Sequence, residues 1–218
     1  MKSQDPNQEH LQSIINLYNE GQMQLALSES SQMLERFPNS VILFNIAGAS
    51  NAALMQFDAA IESYKQALRI NPDYFKAYNN MGVALNDKSD PEAAIESYKQ
   101  ALRINPDYAD AYNNMGSALK DKGDLEEAID NYKQALRIKP DYAEGYSNLG
   151  AAQLLLNHTE QAIASYEKAI SLKKDLNTAI SGLGMVLLKK GEHSEGLDKL
   201  RHGDGSILFN IKSGLSIK

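Results

Sequence analysis

Residues 59–74 read AAIESYKQALRINPDY, and residues 93–108 repeat this stretch letter for letter. A close variant, AIDNYKQALRIKPDY, occupies residues 128–142. The prolines near the ends of these stretches belong to a series with a step of 34 residues: Pro38, Pro72, Pro106 and Pro140. The same step links a glycine column and an alanine column: Gly48, Gly82, Gly116, Gly150 and Gly184, and Ala26, Ala60, Ala94, Ala128 and Ala162. Three columns with one period indicate a tandem repeat rather than a single-core domain.

Each copy of the repeat carries the spacing of two helices. Apolar or small residues spaced by about 3, 1 and 3 positions lie on one face of a helix. The first half of a copy has this spacing at Tyr78, Met81, Gly82 and Leu85. The second half has similar spacing at Ala94, Ile95, Tyr98, Ala101 and Leu102. Polar segments separate the halves, with Asp90 and Asp124 as expected N-caps, and proline closes each copy because it cannot continue a helix. Each copy is therefore predicted to be a helix hairpin.

The glycine column lies inside the first predicted helix, where glycine costs about 1 kcal/mol relative to alanine. We expect close helix packing to compensate for this cost, with Gly82 facing Ala94. A single hairpin is too small to bury its own apolar stripe, so consecutive hairpins must stack on one another.

These columns resemble the tetratricopeptide repeat (TPR), and the resemblance covers roughly Asn7 to Leu200. It implies an all-α fold, a right-handed solenoid of antiparallel helix hairpins with five to six units. The expected repeats are 7–40, 41–74, 75–108, 109–142, 143–176 and 177–202, of which the first and last depart from the pattern as end units do. Residues 1–6 are predicted to be disordered.

The C-terminal tail, residues 203–218, abandons the helical pattern. Its sequence GDGSILFNIKSGLSIK favours two short strands around a turn, a β-hairpin. A lone hairpin is marginal in water, which leaves four alternatives. The tail packs on the last helices, pairs with another molecule, begins a further domain or lies in the groove of another copy.

An asparagine series runs along the first helices, which in the resembling family line the concave side of the solenoid. On a helical wheel Asn80 lies opposite the core residues, and the same column holds Asn114 and Asn148. Ile46 interrupts the series upstream and Gly182 downstream. Duplication of a bland surface residue explains part of this series, but Asn148 lies in a copy that has otherwise diverged.

A side-chain amide offers both a donor and an acceptor, so it can bind a peptide unit whatever side chain that unit carries. Three such amides at steps of about 10 Å span about six residues of extended chain. The series is similar to the asparagine ladder in the TPR region of O-linked N-acetylglucosamine transferase, although nothing here resembles that enzyme's catalytic part. We therefore predict that Asn80, Asn114 and Asn148 bind a peptide backbone.

Charged residues on the same stripe refine the predicted ligand. The acidic ones outnumber the basic one: Asp87, Asp110, Asp121 and Glu144 against Lys76. A basic, unstructured segment is therefore the favoured ligand. The carboxylate clamp of chaperone-binding TPR domains needs lysine and arginine on the first helices, but those places hold Asn45, Asn79, Asn113 and Ser147. That mode is disfavoured.

Composition excludes several other functions. A net charge of −6 argues against a duplex nucleic-acid binder, and the absence of cysteine excludes disulfides and cysteine-based metal sites. His10, His158, His193 and His202 are dispersed and do not predict a metal site. No nucleophile-and-base arrangement or phosphate loop is present, so no enzyme and no cofactor are predicted. The polar N-terminus and the lack of a long apolar run predict no membrane association and a cytoplasmic protein.

The sequence thus predicts a non-catalytic scaffold that binds an extended peptide segment in its concave groove. Two alternatives remain open. One is a structural module that forms homo-oligomers through its groove or its tail. The other is the recruitment arm of a larger enzyme.

Overall fold

The computed structural model describes residues 5–204, 207–210 and 214–217. These residues form six helix hairpins, numbered 1 to 6 along the chain, and one pair of strands. The first helices of the hairpins are α1 (Gln8–Asn19), α3 (Val41–Ala53), α5 (Phe75–Asp87), α7 (Ala109–Lys122), α9 (Ala143–Leu155) and α11 (Asn177–Lys190). The second helices are α2 (Met23–Arg36), α4 (Phe57–Ile70), α6 (Pro91–Ile104), α8 (Leu125–Ile138), α10 (Thr159–Leu172) and α12 (His193–Asp204). The strands are β1 (Ile207–Asn210) and β2 (Gly214–Ile217).

The helices keep the period of the sequence. From α3 onward, each first helix begins 34 residues after the previous one, and from α2 onward the second helices do the same. The all-α fold of repeated helix hairpins expected from the sequence is therefore confirmed.

The chain divides into two compact units, Met1–Asn114 and Met115–Lys218, and the boundary lies within α7. In the first unit, hairpin 1 packs on hairpin 2 through α2 and α3, and hairpin 2 packs on hairpin 3 through α4 and α5. In the second unit, α8 packs on α9 and α10 packs on α11. Neighbouring hairpins thus supply each other's core within each unit.

In hairpins 2 to 5 the glycine column lies against a tyrosine column, and the alanine column that we expected contributes as well, since a Cβ added to Gly116 would lie 3.1 Å from the Ala128 carbonyl oxygen. A Cβ added to Gly82 would lie 2.6 Å from Cε1 of Tyr98, and the same ring position covers Gly48, where the added Cβ would lie 2.6 Å from Cε1 of Tyr64. Tyr98 comes one turn after Ala94, and side chains on a helix point back toward its N-terminus, so the ring reaches the glycine. The tyrosines Tyr64, Tyr98, Tyr132 and Tyr166 are all almost fully buried.

The two end hairpins depart from this arrangement. In hairpin 1 the glycine column holds Ile14 and the tyrosine column holds Ser30, and both residues are buried. In hairpin 6 the tyrosine column holds Leu200, and Gly196 replaces the alanine of the other copies. A Cβ added to Gly196 would lie 2.9 Å from the carbonyl oxygen of Gly184, so the backbones of α11 and α12 approach closely there.

The turns inside the hairpins share one left-handed residue. The corresponding residues all have positive φ: Gly21, Met55, Ser89, Gly123, Asn157 and Gly191. Of the two expected N-caps, the Asp90 side chain accepts a hydrogen bond from the backbone N–H of Ala93. The side chain of Asp124 makes no such capping bond but pairs with Lys122, whose Nζ lies 2.7 Å from its Oδ2.

Of the segment 1–6, which was predicted to be disordered, the structure describes Asp5 and Pro6. Ser40 donates a hydrogen bond to the Asp5 carboxylate, and Pro6 is buried. Residues 1–4 lie outside the described residues. At the other end, α12 continues to Asp204, and β1 pairs antiparallel with β2, with Ile207 opposite Ile217. None of the described helices is long and apolar enough to cross a membrane.

Candidate functional site

Two neighbouring asparagine columns lie on the first helices of the first unit. The column that the sequence singled out contributes Asn80 on α5 and Asn114 on α7, and both are half-buried. The preceding column contributes Asn45, Asn79 and Asn113 from α3, α5 and α7. Asn79 and Asn113 are only 5% and 6% exposed, so their amides need hydrogen-bond partners within the protein.

These five side chains form a continuous series of hydrogen bonds, which we call the amide chain. Asn113 Nδ2 donates to Asn114 Oδ1 (3.4 Å), and Asn114 Nδ2 donates to Asn79 Oδ1 (3.0 Å). Asn79 Nδ2 donates to Asn80 Oδ1 (3.2 Å), and Asn80 Nδ2 donates to Asn45 Oδ1 (3.1 Å). Bonds between neighbouring residues on one helix thus alternate with bonds between first helices of consecutive hairpins.

The amide chain runs in one direction. Each bond between helices passes from a nitrogen on the later helix to an oxygen on the earlier one, and the series ends at Asn45. Within the described part of the chain, Asn45 accepts from Asn80 and uses neither of its own N–H groups. Asn45 therefore presents two free donors at this end of the series.

The position of Asn80 differs from the helical-wheel expectation. We expected its side chain to face solvent opposite the core. It is instead half-buried, because the first helix of the preceding hairpin lies beside it and supplies Asn45 as an acceptor. The wheel describes one isolated helix and leaves out the neighbouring hairpin.

Our sequence reasoning also missed the role of Asn79 and Asn113. We treated them only as places where a carboxylate clamp lacks its basic residues. A signal was present, because the bonded residues Asn45 and Asn80 are 35 positions apart, as are Asn79 and Asn114. This separation is one residue longer than the repeat of 34. It therefore connects a residue in one column with a residue in the adjacent column of the next hairpin.

The third predicted asparagine, Asn148, lies on α9 in the second unit and is half-buried. Beside it in the sequence, Ser147 replaces the asparagine of the earlier copies, and its hydroxyl donates to Thr178 Oγ1 (3.3 Å). The next residue of the column is Gly182, which lies against the ring of Tyr166. A side chain at residue 182 would clash with that ring, and this explains why the asparagine series stops there.

Two adjacent hollows open beside the amide chain. The first has a volume of about 240 Å³ and is lined by Ile15, Tyr18, Asn45, Ile46, Ala49 and Asn80. The second has a volume of about 290 Å³ and is lined by Tyr18, Ala49, Ala52, Ala53, Tyr64, Asn80, Val83 and Asp87. Both hollows lie between the first helices of hairpins 1 to 3, and the second also reaches Tyr64 on α4. They therefore combine an apolar floor with polar groups at the edge, as ligand sites commonly do.

The predicted acidic residues differ in their surroundings. Asp87 is exposed and lines the second hollow, whereas Asp110 is half-buried on α7. Burial raises the pKa of Tyr108 to about 12, and the Asp110 carboxylate adds to this effect. Lys76 is exposed near the start of α5.

The other two acidic residues have lysine partners in the second unit. Lys120 Nζ lies 3.5 Å from Asp121 Oδ1. Lys173 Nζ lies 3.0 Å from Glu144 Oε1, and this hydrogen bond lowers the pKa of Glu144. The acidic character of the stripe is therefore weaker in the second unit than the sequence suggests.

The histidines do not converge. His202 Nδ1 lies 2.8 Å from the carbonyl oxygen of Asp198 in the same helix, and His158 and His193 lie where α10 and α12 begin. Among the described residues, no three histidine, aspartate or glutamate side chains are grouped so that they could hold a metal ion.

Comparison with solved structures finds the same architecture in other proteins. The chain is 29% identical to MamA over 72% of its own length and 91% of that chain, with a TM-score of 0.63. It is 26% identical to a thermophilic TPR protein of Thermus thermophilus, with coverages of 83% and 98% and a TM-score of 0.71. The type IV pilus biogenesis factor PilW shares the fold alone, with 20% identity and a TM-score of 0.81.

Among curated proteins, the chain is 28% identical over 68 residues to a small glutamine-rich tetratricopeptide repeat-containing protein of Saccharomyces cerevisiae. The match covers 31% of this chain and about a fifth (20%) of that relative. A family model described as TPR repeat matches residues 53–89, 84–123 and 116–157, and one described as tetratricopeptide repeat matches residues 143–176. These matches together span residues 53–176, which contain α4 to α10 and are more than half of the chain, so the chain belongs to the tetratricopeptide repeat family.

Proposed function

We propose that this chain is a non-catalytic scaffold that binds an extended peptide segment along the first helices of its hairpins. TPR proteins are generally protein-interaction scaffolds, which supports the broader statement. The binding of an extended peptide is supported by the amide chain, which lies beside two apolar hollows in the first unit.

The amide chain suits a peptide backbone because its members are oriented in advance. An asparagine side chain has two N–H donors and an oxygen with two acceptor sites. Asn80 uses one N–H to reach Asn45 and one acceptor site for Asn79, so one donor and one acceptor site remain. A peptide unit requires one of each. Fixing the amides before binding also reduces the ordering cost of association.

We assign the binding of the peptide backbone to the predicted asparagines, separately in each unit. Asn80 and Asn114 act in the first unit, and Asn148 acts in the second. A preference for a basic segment is assigned mainly to Asp87, because it lines the second hollow, and to Asp110 on α7. Asp121 and Glu144 contribute less, because lysines already lie beside them.

A peptide array tests the proposal. Wild-type protein and the variant Asn80→Ala/Asn114→Ala are incubated with an array of overlapping unstructured peptides. Asn19→Ala, on the exposed end of α1, is the matched control. We expect the wild type and the control to capture peptides and the double variant to lose most of them. Circular dichroism verifies that the double variant is folded, and full capture by a folded double variant contradicts the proposal.

Self-association through the tail is the second candidate. In the part of the chain that the structure describes, β1 and β2 form a sheet of two strands only, and each strand has an outer edge that a further strand can pair with. Light scattering on the full chain and on a chain ending at Asp204 tests it. Concentration-dependent oligomers that disappear with the tail support this candidate, and identical monomeric masses exclude it.

A further inference from the structure

We propose that the first hollow binds one bulky aliphatic or aromatic side chain of the peptide, while Asn45 and Asn80 bind the adjacent backbone. This inference rests on the proposed function and specifies its ligand. The occupant is an extended segment with an apolar residue at this point, rather than a segment recognised by its backbone alone.

The floor of the hollow is part of the packed core. Ile46 is 8% exposed and belongs to the core cluster of the first hairpins, and Ile15 and Tyr18 pack against the same cluster. Because core side chains are held by their neighbours, the hollow is a feature of the folded state and does not depend on rearrangement. Burying an apolar side chain there removes apolar surface of both partners from water.

The edge of the hollow carries N–H donors, so the apolar group of the ligand must be accompanied by hydrogen-bond acceptors. Asn45 lines it with both N–H groups uncommitted, and Asn80 lines it with one. A purely hydrocarbon occupant leaves these donors without acceptors when water is displaced, which is unfavourable. A peptide residue supplies both parts, because its carbonyl oxygen accepts from Asn45 while its side chain fills the hollow.

The size of the hollow also favours a single side chain. Its volume of about 240 Å³ is smaller than the pockets of about 300–1,000 Å³ that take whole small molecules. The second hollow shares Tyr18, Ala49 and Asn80 with the first, so the two are adjacent. Alternate side chains of an extended peptide point to the same face, about 7 Å apart. The second hollow is therefore placed for a neighbouring residue of the same segment, with Asp87 at its edge.

This apolar character belongs to the first two hairpins and not to the repeat as a whole. The column of Ile46 continues with Asn80, Asn114 and Asn148. The column of Tyr18 continues with Ala52, Asn86 and Lys120. Ile46, which interrupts the asparagine series, is thus part of the site. Its position determines where along the groove an apolar residue of the peptide binds.

Peptide pools with one fixed residue test the inference. Nine-residue labelled peptides carry leucine, phenylalanine, alanine or asparagine at the centre and mixed residues elsewhere, and fluorescence anisotropy measures their affinity. Ala49→Leu fills the hollow, since Ala49 lines it on α3 and leucine is a good helix former. Ala164→Leu is the control, because Ala164 is exposed on α10 and lines neither hollow.

For the wild type and the control, we expect the leucine and phenylalanine pools to bind about 10-fold to 100-fold more tightly than the asparagine pool. Ala49→Leu should lose this preference and keep the weaker binding of the asparagine pool. Binding without a preference in the wild type, or a preference that survives Ala49→Leu, overturns this inference alone. Absence of binding in every pool overturns the proposed function as well. Self-association of the free protein that Ala49→Leu abolishes assigns the hollow to a second copy and also overturns the inference.

Discussion

Hairpins 2 and 1 differ in which helix carries the large residue at the contact between their two helices. Hairpin 2 has it on the second helix, and hairpin 1 has it on the first. In hairpin 2, Gly48 on the first helix lies under the ring of Tyr64 on the second. In hairpin 1 the same two columns hold Ile14 and Ser30, with the large side chain on the first helix. Each of these four residues is buried. The difference predicts that packing constrains the pair of columns together and leaves the choice of the larger partner free.

Hairpin 6 keeps the glycine of the first helix, Gly184, but carries no ring opposite it. Leu200 takes the place of the tyrosine, and the alanine column changes to Gly196. The backbones of Gly184 and Gly196 then come close enough that an added Cβ on either would lie 2.9 Å from the other's carbonyl oxygen. A smaller side chain is thus compensated by a closer approach of the helices.

The largest expected effect comes from exchanging the two residues of hairpin 3. Tyr98→Ser alone should lower the free energy of unfolding by about 3–5 kcal/mol, because it leaves a cavity over Gly82. Gly82→Ile alone should lower it by about 1–3 kcal/mol or more, because its Cβ would lie 2.6 Å from the tyrosine ring. The double variant reproduces the arrangement of hairpin 1 and should recover part of both losses. Urea unfolding followed by circular dichroism measures all three.

The double-mutant cycle decides whether the two columns act as a pair. We expect a favourable coupling of about 0.5–3 kcal/mol, the range found for residues in contact. Additive losses in the double variant would mean that hairpin 1 is stabilised by its own surroundings and not by the exchange.

The next effect concerns the close approach in hairpin 6. Gly196→Ala restores the residue of the other copies, yet it should destabilise the chain by about 1–3 kcal/mol, since the neighbouring Gly184 carbonyl is backbone and cannot move aside cheaply. Glu195→Ala, on the exposed side of the same helix, is the control and should change stability by less than about 0.5 kcal/mol. Thermal unfolding compares the two, and a stabilising Gly196→Ala would refute the packing explanation.

Much of the fold follows from the period alone. Three columns with one step predict the number of hairpins, and the apolar spacing predicts which residues are buried. The partner of each glycine did not follow, because the direction of the Tyr98 side chain depends on helix geometry and not on the repeat. Nor did the left-handed turn column, since Met55 and Ser89 occupy it as well as glycines.

The candidate site was predictable in position but not in organisation. The asparagine series indicated the surface on which the amide chain lies, whereas the hydrogen bond that Asn79 accepts from Asn114 became visible only when two hairpins were placed side by side. The lysine partners of Asp121 and Glu144 were missed for two reasons. Lys120 precedes Asp121 in the chain and was not considered as its partner, while Lys173 lies 29 residues after Glu144.

A smaller effect distinguishes two buried serines. Ser50 is fully buried in hairpin 2, and its hydroxyl has no hydrogen-bond partner in the described part of the chain. The same column holds Ala84, Ala118 and Ala152. Ser50→Ala should therefore stabilise the protein by about 1 kcal/mol, because it removes an unsatisfied polar group. Ser30 of hairpin 1 is the matched control: its hydroxyl donates to the Ala26 carbonyl at 2.5 Å, so Ser30→Ala should cost about 1 kcal/mol. Thermal melts with the same sign for both would contradict this distinction.

The smallest effect lies on the exposed face, where charges rather than packing differ. The hydrogen bond from Lys173 lowers the pKa of Glu144, and the more distant charge of Lys139 contributes least. Because this pKa is lower in the folded chain than in the unfolded one, the pair stabilises the fold at neutral pH, and that contribution is lost as the pH falls through the lowered pKa. In an NMR titration of the Glu144 carboxyl carbon, Lys173→Met should return the pKa toward its ordinary value, whereas Lys139→Met should change it less. An equal response to the two substitutions would mean that general charge, and not the direct hydrogen bond, sets this pKa.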